Sequence, residues 1–241
     1  MLSGDPTAAQ SVAAMHAARA TQSSELEHVV AAGHRLVGYK TALLGPAAQA
    51  RLGSDGPVWG WFTDDMQLAD GDTLDCASRH RFRAEAEVVF VLGEDLGGPG
   101  VTELDVLSAT AGIRAGIELP GSRREVPPAT AAEFVAANTL AAHFVLGREL
   151  VALPGAAEIA QIAGRLRCDG EAVADGTAAR VLGHPARAVA WLANALAADA
   201  ASLRAGMFVF TGAVAGPISL LPEHAYTAEF DLLGTLGFST R

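Results

Sequence analysis

Cysteine, lysine and long apolar runs are scarce in this sequence, and each scarcity narrows what the protein can be. The only cysteines are Cys76 and Cys168, far apart and without a CxxC pair, which argues against a disulfide scaffold or a cysteine-based zinc site. Lysine occurs once, at Lys40. Charged residues make up only 18%, and acids outnumber bases by 27 to 17, for a net charge of −10. That field repels a phosphate backbone, so no nucleic-acid partner is expected. No uninterrupted apolar run reaches the roughly 18 residues of a membrane helix. The opening MLSGDPTAAQ lacks the basic and apolar regions of an export signal, so the expected setting is the cytoplasm, without membrane association. None of the seven histidines forms an HxH or HxxxH pair, which leaves a histidine-bound metal without support.

What is present is ample core material. Half of the 241 residues are hydrophobic, enough for one large domain. Residues 1–36 read as an N-terminal helical segment, Ala-rich from Pro6 to Ala32, and residues 37–241 as the main domain. Arg83 to Leu92, RAEAEVVFVL, has the composition of a strand. Thr102 with Asp105 forms a capping-box pattern opening a helix to about Ala111. Ile113 to Leu119 reads as extended, ending at Pro120. Pro185 starts a helix with Val189, Leu192 and Leu196 on one face. Met207 to Thr211 reads as a strand, and Tyr226 to Phe238 as two short strands around Gly234. Many short strands with a few helices give an α+β class with a mixed or antiparallel sheet.

Three carboxylates stand out. Alternation along a strand places Glu85 and Glu87 on one face, about 7 Å apart, while Ala84, Ala86, Val88 and Phe90 form the other. Val89 and Val91 continue the glutamate face, so the acids project from a strand apolar on both sides. Unpaired carboxylates there are costly. Two such charges at about 4 Å repel by roughly 4 kcal/mol at an effective dielectric of about 20, and a divalent cation reverses that sign. Glu118, in Ile117-Glu118-Leu119-Pro120, offers a third oxygen ligand, and three such ligands suit Mg²⁺ or Mn²⁺. Each residue alone has a plainer reading: an acidic solvated edge for the glutamates, a snorkelling surface residue for Lys40, a turn acid for Asp65.

The order of short segments changes that balance. Gly38-Tyr39-Lys40, then Gly60-Trp61-Phe62-Thr63-Asp64-Asp65-Met66, Glu85-Ala86-Glu87, and Ile117-Glu118 with Gly121-Ser122-Arg123 follow one another. Leu182-Gly183-His184-Pro185, Ala190-Trp191-Leu192-Ala193 and Thr211-Gly212 complete the set. From about residue 10 to the C-terminus the sequence resembles the 2-keto-4-pentenoate hydratase and 4-oxalocrotonate decarboxylase family of the fumarylacetoacetate hydrolase superfamily. The resemblance implies a mixed β-sandwich or β-roll with flanking helices, making 37–241 the catalytic domain, and a homo-oligomer. It implies Mg²⁺ or Mn²⁺ on Glu85, Glu87 and Glu118, catalytic roles for Lys40 and Asp65, and substrate contacts from Leu44, Ser122, Arg123, Asn138, Thr211 and Gly212. It further implies a small-molecule 2-oxo acid substrate and association with a sister pathway enzyme.

Three departures bear on the substrate. The family's G-L-T-S stands here as Ala42-Leu43-Leu44-Gly45, its A-D-N as Ala136-Ala137-Asn138, and its G-D as Gly206-Met207. Each removes a polar group, so the pocket is expected to be less polar than the family norm and to favour a bulkier or less charged distal end. The expected activity is decarboxylation of a 4-oxalocrotonate-like vinylogous keto acid. Hydration of a 2-keto-4-pentenoate-type acid is the alternative, with acylpyruvate C–C hydrolysis or a non-catalytic member behind it.

Overall fold

The valine- and alanine-rich segment Arg83–Leu92 is apolar on both faces, and it takes the place such a strand requires, the middle of a sheet. The computed structural model describes residues 6–241; the opening MLSGD lies outside them. The described residues form twelve strands: β1 (Leu36–Ala42), β2 (Val58–Thr63), β3 (Gln67–Leu68), β4 (Thr73–Leu74), β5 (Arg83–Leu92), β6 (Thr110–Leu119), β7 (His143–Leu146), β8 (Ala163–Cys168), β9 (Glu171–Thr177), β10 (Phe208–Ser219), β11 (Ala225–Phe230) and β12 (Gly234–Thr240). Seven make one sheet in the order β2-β1-β10-β5-β6-β7-β3, and five make a second in the order β4-β12-β11-β8-β9. Parallel and antiparallel pairings occur in both sheets, so the class is α+β with mixed sheets.

Six α-helices among the described residues join them: α1 (Pro6–Ala31), α2 (Pro46–Leu52), α3 (Glu103–Ala109), α4 (Ala131–Ala136), α5 (Ala156–Gln161) and α6 (Pro185–Ala197). The Thr102–Asp105 capping box forms at α3 as its spacing predicts. At α6, Pro185 occupies the first turn and His184 Nδ1 accepts the Ala186 N–H at 3.1 Å. Its Val189, Leu192 and Leu196 are fully buried. Phe62, Phe144, Phe208 and Phe210 pack with ring centroids 4.9–6.3 Å apart, contacts worth about 0.5–1.5 kcal/mol per pair beyond their area. No described helix is long and apolar enough to cross a membrane.

Two segments differ from the sequence reading. The strand expected to end at Thr211 continues to Ser219, because Gly212 and Gly216 mark irregularities within β10 rather than turns. The β8–β9 hairpin was not foreseen, since Glu171–Thr177 is nowhere buried and so lacks alternation. Its Asp169-Gly170 turn, with φ of 49° and 85°, is the left-handed pair that a tight hairpin takes.

Candidate active site

Glu85 and Glu118 face each other directly across the β5–β6 pairing, and Glu87 lies two residues further along β5. Strand alternation therefore places all three carboxylates on one face, where an oxygen from each lies within 4.8 Å of the others. Glu87 and Glu118 are wholly buried. The irregularity in β10 between Phe210 and Ala213 serves this cluster. Gly212, at φ 116°, frees its N–H to donate to Glu87 Oε2 at 2.7 Å. Thr211 braces the bend: its hydroxyl donates to Val88 O at 2.7 Å, and its carbonyl accepts from Thr41 Oγ1 at 2.9 Å.

Lys40 enters from β1, the neighbour of β10, and is 4% exposed. Its ammonium donates to Glu118 Oε1 at 2.5 Å and to Thr139 O at 3.4 Å. That carbonyl sits in a turn where Asn138, Thr139 and Leu140 all have positive φ, at 49°, 52° and 62°. Such backbone costs of order 1–3 kcal/mol per residue and needs outside support. Asn138 supplies it by pairing with Trp61 like a neighbouring strand: Oδ1 accepts the Trp61 N–H at 2.9 Å and Nδ2 donates to Trp61 O at 3.0 Å. Gln22 on α1 also donates to Asn138 Oδ1, at 3.1 Å. The turn fits against Gly60, where a Cβ would overlap Thr139 Oγ1 and stand 2.8 Å from Asn138 O. Gly60→Ala should therefore lower stability by about 1–3 kcal/mol and disturb the Lys40 environment as well; a Tm equal to wild type in calorimetry would contradict this packing account.

Electrostatically the cluster is unfinished. Burial, followed by the charge of Glu118, raises the Glu85 pKa from 4.5 to about 7. Burial, then Glu118 and Glu85, pushes Glu87 well above the ordinary range. For Lys40, burial is the largest influence and lowers the pKa, but Glu118, Glu85 and Glu87 together outweigh it and leave the ammonium favoured. Glu87 Oε1 and Glu118 Oε2 are buried without any hydrogen-bond partner. Orphaned carboxylate oxygens of that kind are what a divalent cation satisfies. A sign follows for the metal-free protein. Between pH 4.5 and about 7 the unfolded chain releases the Glu85 proton while the folded chain retains it, so rising pH favours unfolding. Thermal unfolding in chelator should show Tm falling across that window, with the slope reduced in Glu85→Gln; a Tm that rises there would refute the assignment.

Above the cluster opens a cavity of about 850 Å³. One wall is apolar, formed by Leu43, Leu44, Ala47, Ala48 and Leu52, as the loss of the polar pair at Leu44-Gly45 predicts. The rest was not anticipated: Arg51, Arg81, Arg83 and Arg180 line the same space, in which Glu85 is the one lining acid. No carboxylate of the described residues lies within ion-pair distance of these four, whereas Arg35, Arg167, Arg187 and Arg204 are each paired. Arg83 was legible, since it stands two residues before Glu85 on the same face of β5. Arg51 and Arg180 arrive from remote segments and carried no sequence signal.

Ser122 and Gly212 line this cavity. Arg123 and Asn138 instead line a neighbouring space of about 480 Å³, with Arg123 paired to Glu25 on α1. Ala137 also belongs to that second cavity, so the acid missing there does not make the main cavity less polar. Thr211 is buried behind β10, with its side chain turned to the backbone. Asp65 departs furthest from expectation. The antiparallel β1–β2 register pairs Lys40 with Gly60 and Leu36 with Thr63, which carries residue 65 past the far end of β1. There it is 43% exposed beside His34, at 3.6 Å, and does not line the cavity.

Two mixed sheets carry a buried three-carboxylate centre with its lysine, a donor set that suits a hard divalent cation. Residues 16–238 match the family described as fumarylacetoacetate (FAA) hydrolase, C-terminal, and the chain belongs to that family. It is 37% identical to the 2-keto-4-pentenoate hydratase of Burkholderia vietnamiensis over 204 residues, covering 85% of this chain and 78% of the relative. It is 30% identical to the 4-oxalocrotonate decarboxylase of Pseudomonas putida over 204 residues, covering 85% and 77%. Among solved structures, the 4-oxalocrotonate decarboxylase of Pseudomonas putida G7, complexed with magnesium and adipate, superposes with a TM-score of 0.88 at 29% identity, covering 93% of this chain and 85% of that one. The same enzyme complexed with calcium and acetate gives 0.86.

Proposed function

We propose that this protein decarboxylates a 4-oxalocrotonate-like 2-oxo acid, with Glu85, Glu87 and Glu118 holding Mg²⁺ or Mn²⁺. The observation that carries this reading is the pair of orphaned oxygens on Glu87 and Glu118 beside the Lys40 ammonium. When bound there, the cation supplies Lewis acidity toward the carboxylate and 2-oxo oxygens of the substrate head. Lys40 holds positive charge where the 2-oxo oxygen gains negative charge as the C–C bond to the distal carboxylate breaks and that group leaves as CO₂, the head carboxylate being retained. The electron pair moves through the conjugated system to that oxygen, and Lys40 is the near proton source. The Gly212 N–H fixes Glu87, and the Asn138 turn holds the carbonyl that positions Lys40. The apolar wall at Leu43 and Leu44 limits water around the reacting carbons. Asp65 is not placed in this scheme.

Hydration of a 2-keto-4-pentenoate-type acid is the second reading, favoured by the hydratase relatives, which are 31–37% identical. In both readings the two sheets form the layers of a β-sandwich or β-roll, residues 37–241 are the catalytic domain behind a helical lead, and the enzyme is a cytoplasmic homo-oligomer able to associate with a sister pathway enzyme. Light scattering tests the oligomer directly.

The deciding experiment is a panel of 2-oxo acids with varied tails, followed in parallel by CO₂ release and by loss of the conjugated chromophore. The arginine side of the cavity revises the expectation of a weakly charged distal end. Acids with a distal carboxylate should be turned over with release of CO₂, and Arg83→Gln should raise their KM about tenfold while leaving inhibition by monocarboxylic 2-oxo acids nearly unchanged. Turnover of compounds lacking the 2-oxo group would remove chelation as the basis of recognition. Chromophore loss without CO₂ would select the hydratase reading.

A further inference from the structure

The chain's two cysteines, distant in sequence, both lie at one end of the five-stranded sheet. Cys168 ends β8 opposite Tyr226 of β11. Cys76 begins a single 3₁₀ turn, with its N–H donating to Arg241 O at 3.0 Å. Both are half-buried, and both thiols lie near enough to the Tyr226 phenol to help burial raise its pKa. Beside Cys168, His224 Nδ1 lies 3.7 Å from the sulfur and 2.6 Å from Asp169 Oδ2. One sulfur, one imidazole nitrogen and one carboxylate oxygen thus lie within 4.8 Å of one another.

The backbone holds them there. The Asp169 N–H donates to Ala225 O, and Asp169 Oδ1 accepts the Ala225 N–H, each at 2.8 Å. The β8–β9 turn that carries Cys168 and Asp169 is thereby locked to the residue following His224. A histidine–aspartate pair by itself closes a turn and has no use for a thiol. The third donor, of a softer class, sets this cluster apart.

The geometry points to a second cation site on Cys168, Asp169 and His224, of the zinc class, with a fourth position open to solvent. Bonds of about 2.3 Å to sulfur and about 2.0 Å to nitrogen in a tetrahedral site separate those two donors by about 3.5 Å, close to the 3.7 Å found. Asp169 has to withdraw by less than about 1 Å to coordinate rather than accept a hydrogen bond, a shift its Oδ2 can make at a 53% exposed side chain while Oδ1 keeps the Ala225 N–H. A thiolate and an imidazole select against Mg²⁺, whereas the all-oxygen set of Glu85, Glu87 and Glu118 favours it. Two cations of different chemistry would therefore sort themselves onto one chain. The second site clips the β8–β9 turn to the start of β11 and is independent of the lyase reaction.

Cobalt(II) is the probe, titrated into the whole protein under reducing conditions with excess Mg²⁺ present. One equivalent should give a thiolate-to-cobalt charge-transfer band that Zn²⁺ abolishes. Cys168→Ser should remove the band, and His224→Ala or Asp169→Asn should weaken binding by about tenfold or more. Glu87→Gln and Cys76→Ser should leave it intact, and circular dichroism shows whether each variant is folded. Absence of the band in the wild type, or its persistence in folded Cys168→Ser, overturns the site.

Discussion

Replacing Lys40 with methionine should lower kcat by about 10²–10³-fold, the usual cost of removing one charged group that stabilises a developing oxyanion. Methionine keeps much of the length and apolar volume of the lysine stem, so the β1–β10 packing survives while the charge is lost. The substitution also strips Glu118 of its 2.5 Å partner, leaving the three carboxylates without their own cation. Mn²⁺ binding should therefore be retained or tightened even as turnover collapses. That split separates a catalytic Lys40 from a merely structural one: a structural lysine would lose stability and metal together. Near-normal kcat with Mn²⁺ bound would return Lys40 to the role of an internal counter-ion.

The converse is expected of the glutamates. Glu87→Gln keeps the shape and the hydrogen bond from Gly212, yet removes a charge from a ligand set that has only three. Calorimetric titration should show Mn²⁺ affinity reduced by at least about 100-fold, with activity lost in proportion. Glu118→Gln should be as damaging for metal binding and worse for catalysis, because the same residue positions Lys40. Metal-free Glu87→Gln should be more stable than metal-free wild type at neutral pH, since a neutral amide replaces a carboxyl group whose ionisation burial opposes. Unchanged Mn²⁺ affinity in both variants would exclude this centre as the metal site.

The carboxylate cluster was legible in the sequence because most of it is local. Glu85 and Glu87 sit two apart on an otherwise apolar strand, and alternation alone puts them on one face. Glu118 and Lys40 joined them through the order of short motifs, and the β5–β6 register then sets Glu118 directly opposite Glu85. What escaped notice was non-local or made of backbone. The Thr139 carbonyl that receives Lys40 depends on three consecutive left-handed residues, which no side-chain pattern announces. Of the cavity's arginines, Arg83 is local to β5, whereas Arg51 comes from α2, Arg81 from the approach to β5 and Arg180 from the turn after β9. Asp65 illustrates the reverse error: its motif was recognised, but the antiparallel pairing of β1 with β2 carries it away from Lys40. Gly212 and Gly216 lie beyond the strand end expected at Thr211, although Gly212 shapes the bend that presents an N–H to Glu87.

Because Lys40 is the chain's only lysine, every other side-chain cation is a guanidinium or an imidazole. Acylating and imidate reagents that ordinarily decorate a protein's exterior find no exterior ε-amine here. Apart from the α-amine, their single target is 4% exposed and engaged with Glu118. Labelling stoichiometry thus becomes a measure of how often the cavity floor opens, and protection by a bound 2-oxo acid can be read from intact mass alone. Cross-linking through lysine, in turn, cannot report on assemblies of this protein.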